Sequence, residues 1–418
     1  MKKNVILILL LLVSVGLFGQ YVYMFSSFEP EIIDGRAEAL GLTSILSSSG
    51  ANYVFNNPSM LSSLNSKDFQ VNLRTHFGNT NKEKEHLDTD TNSIFYRSDT
   101  DYNRKFHTKF NGFSFGLPLN VIKNDDWHIG IAAGYRTYYD WGYDIHQKRK
   151  EEFDDEVEIE EEDSEYSGGF NTLVFGGGIN FKRKFYGGLS ISLPLNSEYL
   201  NEYETNDGNQ ATNEGTLKGS FFTFSGSYIM NQYVSFGLRI RTTFDLEIDG
   251  EDDYFNYQYS DKYTIPTEYA FALQISPIEK VRIFAEYLTR NLGDYYNIIY
   301  FNPKSDDGYS FRTGIEFGKK YKFRGGLFTQ SVPVYEITSH YDELNDDYIV
   351  ESKNKPQVET GITAGFGTNI FKKIQINFYS SYTFLNYDEN YQNVEDTKVF
   401  NEISYSLIKI GCSFGYSF

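Results

Sequence analysis

The feature that most restricts the fold of this chain is an alternation of apolar and polar residues with a period of two. In residues 374–384, Ile374, Phe378 and Phe384 belong to one apolar face, while Gln375 and Asn377 belong to a polar face. This pattern is typical of a β-strand with only one apolar side. It recurs in fourteen segments, at residues 68–78, 106–118, 126–140, 167–182, 184–194, 218–230, 232–246, 262–276, 279–291, 307–318, 320–330, 357–369, 372–385 and 400–418.

The connections between these segments fall into two classes that alternate strictly along the chain. Six are short turns, and seven are long and polar, beginning with residues 79–105. The second long connection contains residues 151–165, of which eleven of fifteen are acidic. Short periplasmic turns and long extracellular loops are typical of outer-membrane barrels, which close because lipid leaves free strand edges unsatisfied. The sequence therefore predicts an all-β fold, a fourteen-stranded antiparallel transmembrane β-barrel formed by residues 68–418.

The two ends of the chain predict export to a bacterial outer membrane. Residues 1–19 combine Lys2 and Lys3 with an apolar run and a small residue, Gly19, which predicts a cleaved secretory signal peptide. A membrane anchor is the alternative, although the apolar run is short for a span of about 20 residues. The last segment alternates up to Phe418 and resembles the assembly signal of outer-membrane proteins. It therefore predicts a contact with the barrel assembly machinery.

The charge of the chain restricts its partners. The formal net charge is −19, whereas nucleic-acid binding needs a basic surface, so nucleic acid is not an expected partner. The acidic residues lie mainly in the long connections, where they are either simply solvated or bridged to lipopolysaccharide through divalent cations. Outer-membrane lipid is an expected partner of the strands, because 35 Tyr and 36 Phe residues supply apolar faces in a chain that is polar on average.

Residues that often carry catalysis or bind metals lack the required setting. The sequence from Gly112 to Gly116 fits a G-x-S-x-G pattern, but that motif needs a strand–turn–helix setting and here lies inside an alternating segment. The six His residues show no spacing typical of metal ligands. The sequence therefore predicts neither an enzyme nor a metal or cofactor site.

Residues 20–67, which precede the first predicted strand, carry two short motifs. Gly35 and Arg36 begin a run containing Gly and Ala, and Asn57-Pro58-Ser59 follows after a loop. Both motifs resemble the N-terminal hatch of the FadL-type family of outer-membrane transporters, with Ser59 in place of the family's usual Ala. The resemblance implies that residues 20–67 form a small helical plug inside a fourteen-stranded barrel. Asn57-Pro58, a turn signal, is expected to reverse the chain there. A disordered periplasmic tail is the alternative.

The same resemblance implies a function. FadL-type proteins transport long-chain fatty acids and other hydrophobic compounds, so the chain is expected to be an uptake channel for such molecules, by passive diffusion with lateral exit through the wall. The FadL type also includes accessory barrels of protein secretion systems, which dock exported proteins and are the alternative. An apolar cavity beside the plug would favour the transporter over the docking barrel.

Two sets of residues are candidates for ligand binding. The first consists of arginines on the polar faces of predicted strands, which either bind the carboxylate of a fatty acid or form ion pairs that hold the plug. The second is aromatic and lies in a long connection, where it either captures a hydrophobic ligand or belongs to the girdle at the membrane interface. The residues are Arg239, Arg241, Arg282, Arg312 and Arg324 in the first set and Phe255 and Tyr257 in the second.

Overall fold

A computed structural model gives the arrangement of most of the chain. It describes residues 34–88, 94–105, 109–119, 126–140, 143–153, 156–204, 210–253, 257–291, 307–332, 335–342, 347–354, 357–370, 373–392 and 397–418. The signal peptide predicted at residues 1–19 lies outside these ranges. Within them, every helix is too short or too polar to cross a membrane.

The described residues form 22 β-strands, of which 20 belong to one continuous sheet. The strands are β1 (Asp68–Asp88), β2 (Ile94–Lys105), β3 (Lys109–Leu119), β4 (Trp127–Asp140), β5 (Tyr143–Phe153), β6 (Glu156–Phe181), β7 (Phe185–Pro194), β8 (Glu198–Glu204), β9 (Gln210–Lys218), β10 (Phe221–Ile229), β11 (Val234–Arg241), β12 (Phe244–Asp252), β13 (Tyr257–Ile265), β14 (Glu268–Ile278), β15 (Val281–Asn291), β16 (Asp307–Phe317), β17 (Tyr321–Val332), β18 (Tyr335–Asp342), β19 (Asp347–Asn354), β20 (Gln357–Ile370), β21 (Ile374–Gln392) and β22 (Thr397–Ser417).

Fourteen of these strands close into one antiparallel barrel. Each pairs with the next in the order β1, β3, β4, β6, β7, β10, β11, β14, β15, β16, β17, β20, β21 and β22. The barrel closes because β22 pairs with β1 along its whole length, from Asp68 opposite Ser417 to Asp88 opposite Thr397. The fourteen-stranded antiparallel barrel predicted from the alternation is confirmed.

The barrel strands expose an apolar surface and bury a polar one. In β10, Phe222 and Phe224 are exposed, whereas Thr223 between them is buried in the lumen. Each of the fourteen strands exposes at least one large apolar side chain, from Phe69 in β1 to Phe414 in β22. Such a belt is stable in lipid, where a closed barrel also satisfies its backbone hydrogen bonds internally. The protein therefore lies in a bacterial outer membrane.

The long polar connections were predicted as loops, and that prediction was wrong for most of them. The outer end of β1 pairs with β2, which pairs with β5, and β5 pairs with the outer end of β6. On the other side of β6 the pairing continues from β8 to β9, β12 and β13, so these strands extend the wall beyond the barrel. The described residues of the acidic run, 151–153 and 156–165, belong to β5 and β6, where Lys148 Nζ lies 2.7 Å from Glu161 Oε1. Because polar side chains occupy both faces, no apolar period marks these strands. We call β2, β5, β8, β9, β12, β13 and residues 156–168 of β6 the collar.

One predicted strand, at residues 262–276, is two strands in the structure. Its first residues belong to β13 in the collar, and its main part is β14 in the barrel. Pro266 lies between them, and a proline cannot donate a ladder hydrogen bond. The break therefore marks the point where the chain passes from the collar into the membrane-spanning wall.

Residues 34–67, which we call the plug, lie inside the barrel. Their regular structure is limited to helices Gly35–Glu38 and Tyr53–Asn56 and to 3₁₀ turns Gly50–Asn52 and Pro58–Ser63. The first helix ends early because Gly41 and Leu42 both have positive φ, 68° and 63°, a conformation that helices do not use. The helix-like run from residue 35 to residue 51 is thus mostly irregular chain packed against the wall.

Glycines in the wall allow the plug backbone to approach β6 and β7. A Cβ atom added to Gly178 would lie 2.3 Å from the carbonyl oxygen of Pro58, and one added to Gly188 would lie 2.2 Å from the amide nitrogen of Ser59. Real Cβ contacts of this length do not occur in folded proteins. Only glycine at these two positions leaves room for the second 3₁₀ turn of the plug.

Candidate functional site

Asn57 lies between the helix Tyr53–Asn56 and the 3₁₀ turn Pro58–Ser63, and its side chain is fully buried. Its Nδ2 atom donates to the Ile45 carbonyl at 2.7 Å and to the Ser227 hydroxyl at 3.1 Å. Its Oδ1 atom accepts from the Ser59 hydroxyl at 2.6 Å, and the Ser59 amide donates to Ser225 at 2.8 Å. The Asn57-Pro58-Ser59 motif therefore joins two parts of the plug to each other and to β10.

Replacing Asn57 by Ala is expected to loosen the plug without unfolding the barrel. The change leaves the buried Ile45 carbonyl and Ser59 hydroxyl with fewer partners, which costs about 1–3 kcal/mol per group. Hydrogen exchange followed by mass spectrometry should show faster exchange in residues 34–67 and unchanged exchange in β21 and β22. Met60→Ala is the matched control, because Met60 is only half-buried. Equal exchange in wild type and Asn57→Ala would contradict the role of this side chain.

Asp34 organises the first turn of the plug and was not singled out from the sequence. Its carboxylate caps the helix by accepting from the amides of Arg36 at 2.8 Å and Ala37 at 3.2 Å. It also accepts from the Ser49 amide at 2.8 Å and from Asn52 Nδ2 at 3.2 Å. An Asp directly before a helical run is an N-cap signal, and this signal could have identified Asp34.

The Arg36 guanidinium joins the plug to the barrel wall through Glu316. Arg36 donates to both oxygens of the Glu316 carboxylate, at 2.9 Å and 3.1 Å. The same carboxylate accepts from Arg324 Nε at 2.8 Å and from Arg282 Nη1 at 3.4 Å. Arg324 extends the network to Asn377 on β21 at 2.9 Å. Glu316, which is buried, is thus shared by three arginines, one of which comes from the plug.

A second group of charges lies on β11, β14, β15 and β16, and the last two of these strands also carry Arg282 and Glu316 of the first group. Glu268 accepts from Arg239 at 2.7 Å and from Arg241 at 3.3 Å. Glu286 accepts from the Ser44 and Ile45 amides of the plug at 2.8 Å and 2.9 Å. Arg312 Nη1 lies 3.6 Å from Glu286 and 3.3 Å from the Leu42 carbonyl. Of these two carboxylates, Glu286 fixes the backbone of the plug by direct hydrogen bonds.

All five arginines singled out from the sequence therefore face wall carboxylates. Arg239, Arg241 and Arg312 belong to the second group, and Arg282 and Arg324 share Glu316. This arrangement favours the ion-pairing interpretation over direct binding of a ligand carboxylate. Of the aromatic candidates, Phe255 lies outside the described residues, and Tyr257 is the first residue of β13.

Arg136 differs from these arginines because its guanidinium has no hydrogen-bonded carboxylate among the described residues. It was not among the candidates singled out from the sequence. Its side chain is buried, and no hydrogen-bond partner among the described residues reaches any of its three guanidinium nitrogens. The guanidinium instead lies over three aromatic rings, with centroid distances of 4.6 Å to Tyr138, 5.4 Å to Phe55 and 5.9 Å to Phe221. Its neighbour across β6 is Thr172, which carries no charge. The alternation of residues 126–140 predicts that the Arg136 side chain points inward. It does not predict that the guanidinium has no hydrogen-bonded carboxylate among the described residues.

An aromatic cluster lies on the outer side of Arg136, away from the plug. Tyr138 and Tyr139 both point inward because β4 has a bulge, where the register with β6 shifts between Thr137 and Tyr139. Ring centroids of Tyr138 and Phe221 are 4.9 Å apart. We call the set the aromatic cluster, and its buried members are Tyr138, Tyr139, Phe170, Leu217, Phe221, Phe244, Leu246 and Ile265.

The collar contains a cleft of about 930 Å³ that reaches this cluster through Tyr199. Tyr199 lines the cleft and also packs against the aromatic cluster, so a continuous row of side chains runs from the collar to Arg136. Four carboxylates, from Glu198, Glu214, Asp249 and Glu251, line this cleft. In the described part of the chain, no group of three or more His, Cys, Asp or Glu side chains has the geometry of a metal site.

Comparison with solved structures supports the description of the fold. A FadL homologue from Pseudomonas aeruginosa is 10% identical, with a TM-score of 0.59, and the match covers 94% of this chain and 99% of that one. The toluene transporter TodX of P. putida is 11% identical, with a TM-score of 0.53 and coverage of 93% and 99%. The toluene transporter TbuX of Ralstonia pickettii is 12% identical, with a TM-score of 0.51 and coverage of 95% and 100%.

Sequence comparison gives no such link. No protein-family model matches the chain, and no curated protein matches it either. At 10–12% identity, the three structures establish the architecture of the chain and leave its ligand open. The order of strands, the closed barrel and the N-terminal segment inside it agree with the expectation drawn from the hatch motifs. The chain therefore has the FadL-type fold, a fourteen-stranded outer-membrane barrel with an N-terminal plug.

Proposed function

We propose that the protein is a passive channel for hydrophobic small molecules across the outer membrane. The observation that supports this best is the aromatic cluster, a buried group of apolar side chains inside the lumen directly outside the plug. Aromatic side chains bind apolar molecules through the area that is removed from water. The similar structures include toluene transporters and a monoaromatic hydrocarbon channel, which agrees with a transport role rather than a catalytic one.

Among hydrophobic molecules, we propose those with one carboxylate, such as long-chain fatty acids. The carboxylate would pair with Arg136, whose guanidinium has the fork geometry that binds two oxygens at once. The hydrocarbon chain would lie on Tyr138 and Phe221, whose rings already contact that guanidinium. A buried guanidinium with no hydrogen-bond partner among the described residues is the reason to prefer an acid over a neutral hydrocarbon.

We further propose that the molecule leaves sideways, through the wall near Arg136. Two irregularities support this position. The register of β1 with β3 shifts between Asn72 and Leu73, and that of β4 with β6 shifts between Thr137 and Tyr139. Gly112 of β3 lies directly opposite Arg136 in β4, so both shifts flank the residue proposed to bind the ligand. Bulges of this kind bend a strand and interrupt its ladder.

Binding to the purified barrel tests both levels of the proposal. A long-chain fatty acid and the alcohol of the same chain length are titrated against wild type and Arg136→Gln. A hydrogen bond to a charged group contributes about 1.5–3 kcal/mol, so the variant should bind the acid at least about tenfold more weakly and the alcohol almost as well as wild type. Arg183→Gln is the control, because Arg183 is exposed on a short turn.

The possible outcomes separate the two levels. If neither ligand binds to wild type, the channel proposal fails. If acid and alcohol bind equally to wild type and to Arg136→Gln, only the preference for acids fails. Tyr138→Ala should weaken the binding of both ligands, because this change removes apolar contact area and no charge.

The alternative function, an accessory barrel that docks exported proteins, finds no support in the similar structures. Mass spectrometry of the material that co-purifies with the barrel distinguishes the channel from the docking barrel, because a channel retains lipids and a docking barrel retains proteins. Recognition of the strand ending at Phe418 by the barrel assembly machinery stays a prediction, as does contact of the collar with lipopolysaccharide.

A further inference from the structure

The short-turn end of the barrel carries a ring of exposed cations, which the transport function does not use. These side chains lie at the start of β1 and in the turns that join β6 to β7, β14 to β15, β16 to β17 and β20 to β21. Among the described residues of this end, Glu279 is the exposed carboxylate, and it pairs with Lys319 at 2.5 Å. We call the set the basic rim, and it consists of Lys67, Lys182, Arg183, Lys184, Lys280, Lys319, Lys320 and Lys373.

The collar end of the molecule has the opposite charge. Its lysines Lys148, Lys218 and Lys262 each pair with a carboxylate, at 2.7, 2.5 and 2.8 Å. Exposed carboxylates outnumber them, and the described ones include Asp101, Glu158, Glu161, Glu165, Glu198, Glu202, Glu214, Asp245, Glu247, Glu251, Asp253 and Glu402. Although the formal net charge of the chain is −19, the short-turn end is therefore basic and the collar end is acidic.

The basic rim lies at the depth of the membrane interface. Lys182 Nζ is 5.0 Å from the centroid of the Phe181 ring, and Lys320 Nζ is 5.3 Å from that of Tyr321. Trp127 lies beside Phe181, with centroids 4.8 Å apart, and is itself exposed to the surroundings of the barrel. Aromatic girdles mark the boundary between hydrocarbon and head groups, and long cationic side chains beside them extend towards the head groups. The ammonium groups of the rim are therefore placed at the level of lipid phosphates.

We propose that the basic rim binds the phosphate groups of anionic phospholipids in the membrane leaflet that the short turns face. The distribution of the cations favours lipid over a docked acidic protein. They occur at five separate places around the circumference, which suits a layer of head groups surrounding the barrel. A single docked protein would contact one arc of the ring.

Quenching of tryptophan fluorescence measures, at the rim itself, whether anionic phospholipid is preferred over zwitterionic phospholipid. The chain has two Trp residues, so Trp141→Phe leaves Trp127, beside Phe181, as the reporter. The protein is placed in phosphatidylcholine vesicles in which a fraction of the lipid is brominated phosphatidylglycerol or, separately, brominated phosphatidylcholine. Each cation near an anionic surface favours it by an amount equivalent to about fivefold in binding. Brominated phosphatidylglycerol should therefore quench Trp127 at least about fivefold more effectively.

Variants assign the effect to the rim. In the triple variant Lys182→Gln, Arg183→Gln, Lys184→Gln, the two brominated lipids should quench Trp127 equally. The charge-conserving triple variant Lys182→Arg, Arg183→Lys, Lys184→Arg should keep the wild-type preference. Lys218→Gln with Lys262→Gln, at the collar end, is the matched control and should also keep it. Raising salt to 1 M should reduce the preference in wild type, because screening acts on exposed charges, and this measurement does not depend on the assembly of any variant.

Three results would overturn the proposal. The first is equal quenching of wild type by the two brominated lipids. The second is a preference that survives in the Gln triple variant. The third is loss of the preference in inorganic phosphate but not in sodium chloride of the same ionic strength, which would show that the rim binds free phosphate. None of these results bears on the channel function, which is measured by ligand binding in the lumen.

Discussion

Glu316→Ala is expected to release the first turn of the plug and to raise the conductance of the barrel. The Glu316 carboxylate forms ion pairs with Arg36 from the plug and with Arg324 and Arg282 from the wall. Removing one partner of a buried ion pair costs about 3–5 kcal/mol, because the remaining charge is buried without compensation. Here Arg36 and Arg324, which are both buried, would lose their partner, whereas the Arg282 side chain is already 43% exposed. Arg36 can move to solvent with the plug, but Arg324 is fixed in the wall.

Two measurements check this result. Single-channel recordings in planar bilayers should show larger or more frequent openings for Glu316→Ala than for wild type, and protease added from the short-turn side should cut between residues 34 and 67. Glu279→Ala is the control, since Glu279 forms an exposed ion pair with Lys319 that contributes little. Wild-type conductance and protease resistance in Glu316→Ala would show that the plug does not depend on this carboxylate.

Gly188→Val is expected to displace the second 3₁₀ turn of the plug from the wall. A Cβ atom at this position would lie 2.2 Å from the Ser59 amide nitrogen and 2.4 Å from the Pro58 carbonyl carbon. Overpacking in a rigid site costs about 1–3 kcal/mol and often more when backbone is the obstacle. The hydrogen bonds of Ser59 to Ser225 and Asn57 would be lost with the displacement.

The chain offers a closely matched control in the preceding residue. A Cβ atom on Gly187 would meet nothing within 4 Å, so Gly187→Val tests the same residue type in the same strand without touching the plug. Hydrogen exchange in residues 34–67 should rise strongly in Gly188→Val and stay at the wild-type level in Gly187→Val. If both variants behave alike, the effect comes from strand β7 itself and not from the plug.

The barrel could be predicted from the sequence because the membrane imposes a simple rule on it. Lipid outside and polar groups inside give each spanning strand a period of two, as in Phe222, Thr223 and Phe224. The collar strands have water on both sides, and ion pairs such as that of Lys148 with Glu161 replace the apolar period. A strand without an apolar face has no sequence pattern that distinguishes it from a loop.

The charged residues of the lumen show how much of the candidate site could be predicted from the sequence. Alternation places Arg312 and Glu286 on inner faces, but only the register puts them opposite each other, as it does for Arg324 and Glu316. Arg136 has the same inward direction, and its register neighbours are Gly112 and Thr172. Whether an inward arginine is neutralised depends on such neighbours, and strand register depends on turn geometry that the sequence pattern does not specify.

The pairing of Arg36 with Glu316 also has a consequence for the order of folding events. The two residues are 280 positions apart in the chain, and Asp68, which accepts from the Ala51 amide of the plug, accepts from Ser417 across 349 positions. Contacts that span such distances form late, after the intervening chain has been ordered. The plug emerges first during synthesis, yet Gly35 in its first turn lies against Tyr379 of β21 and Ser413 of β22, the last two strands to be made. Its locking therefore coincides with barrel closure, and a channel whose last strand has not yet paired has an unlocked plug.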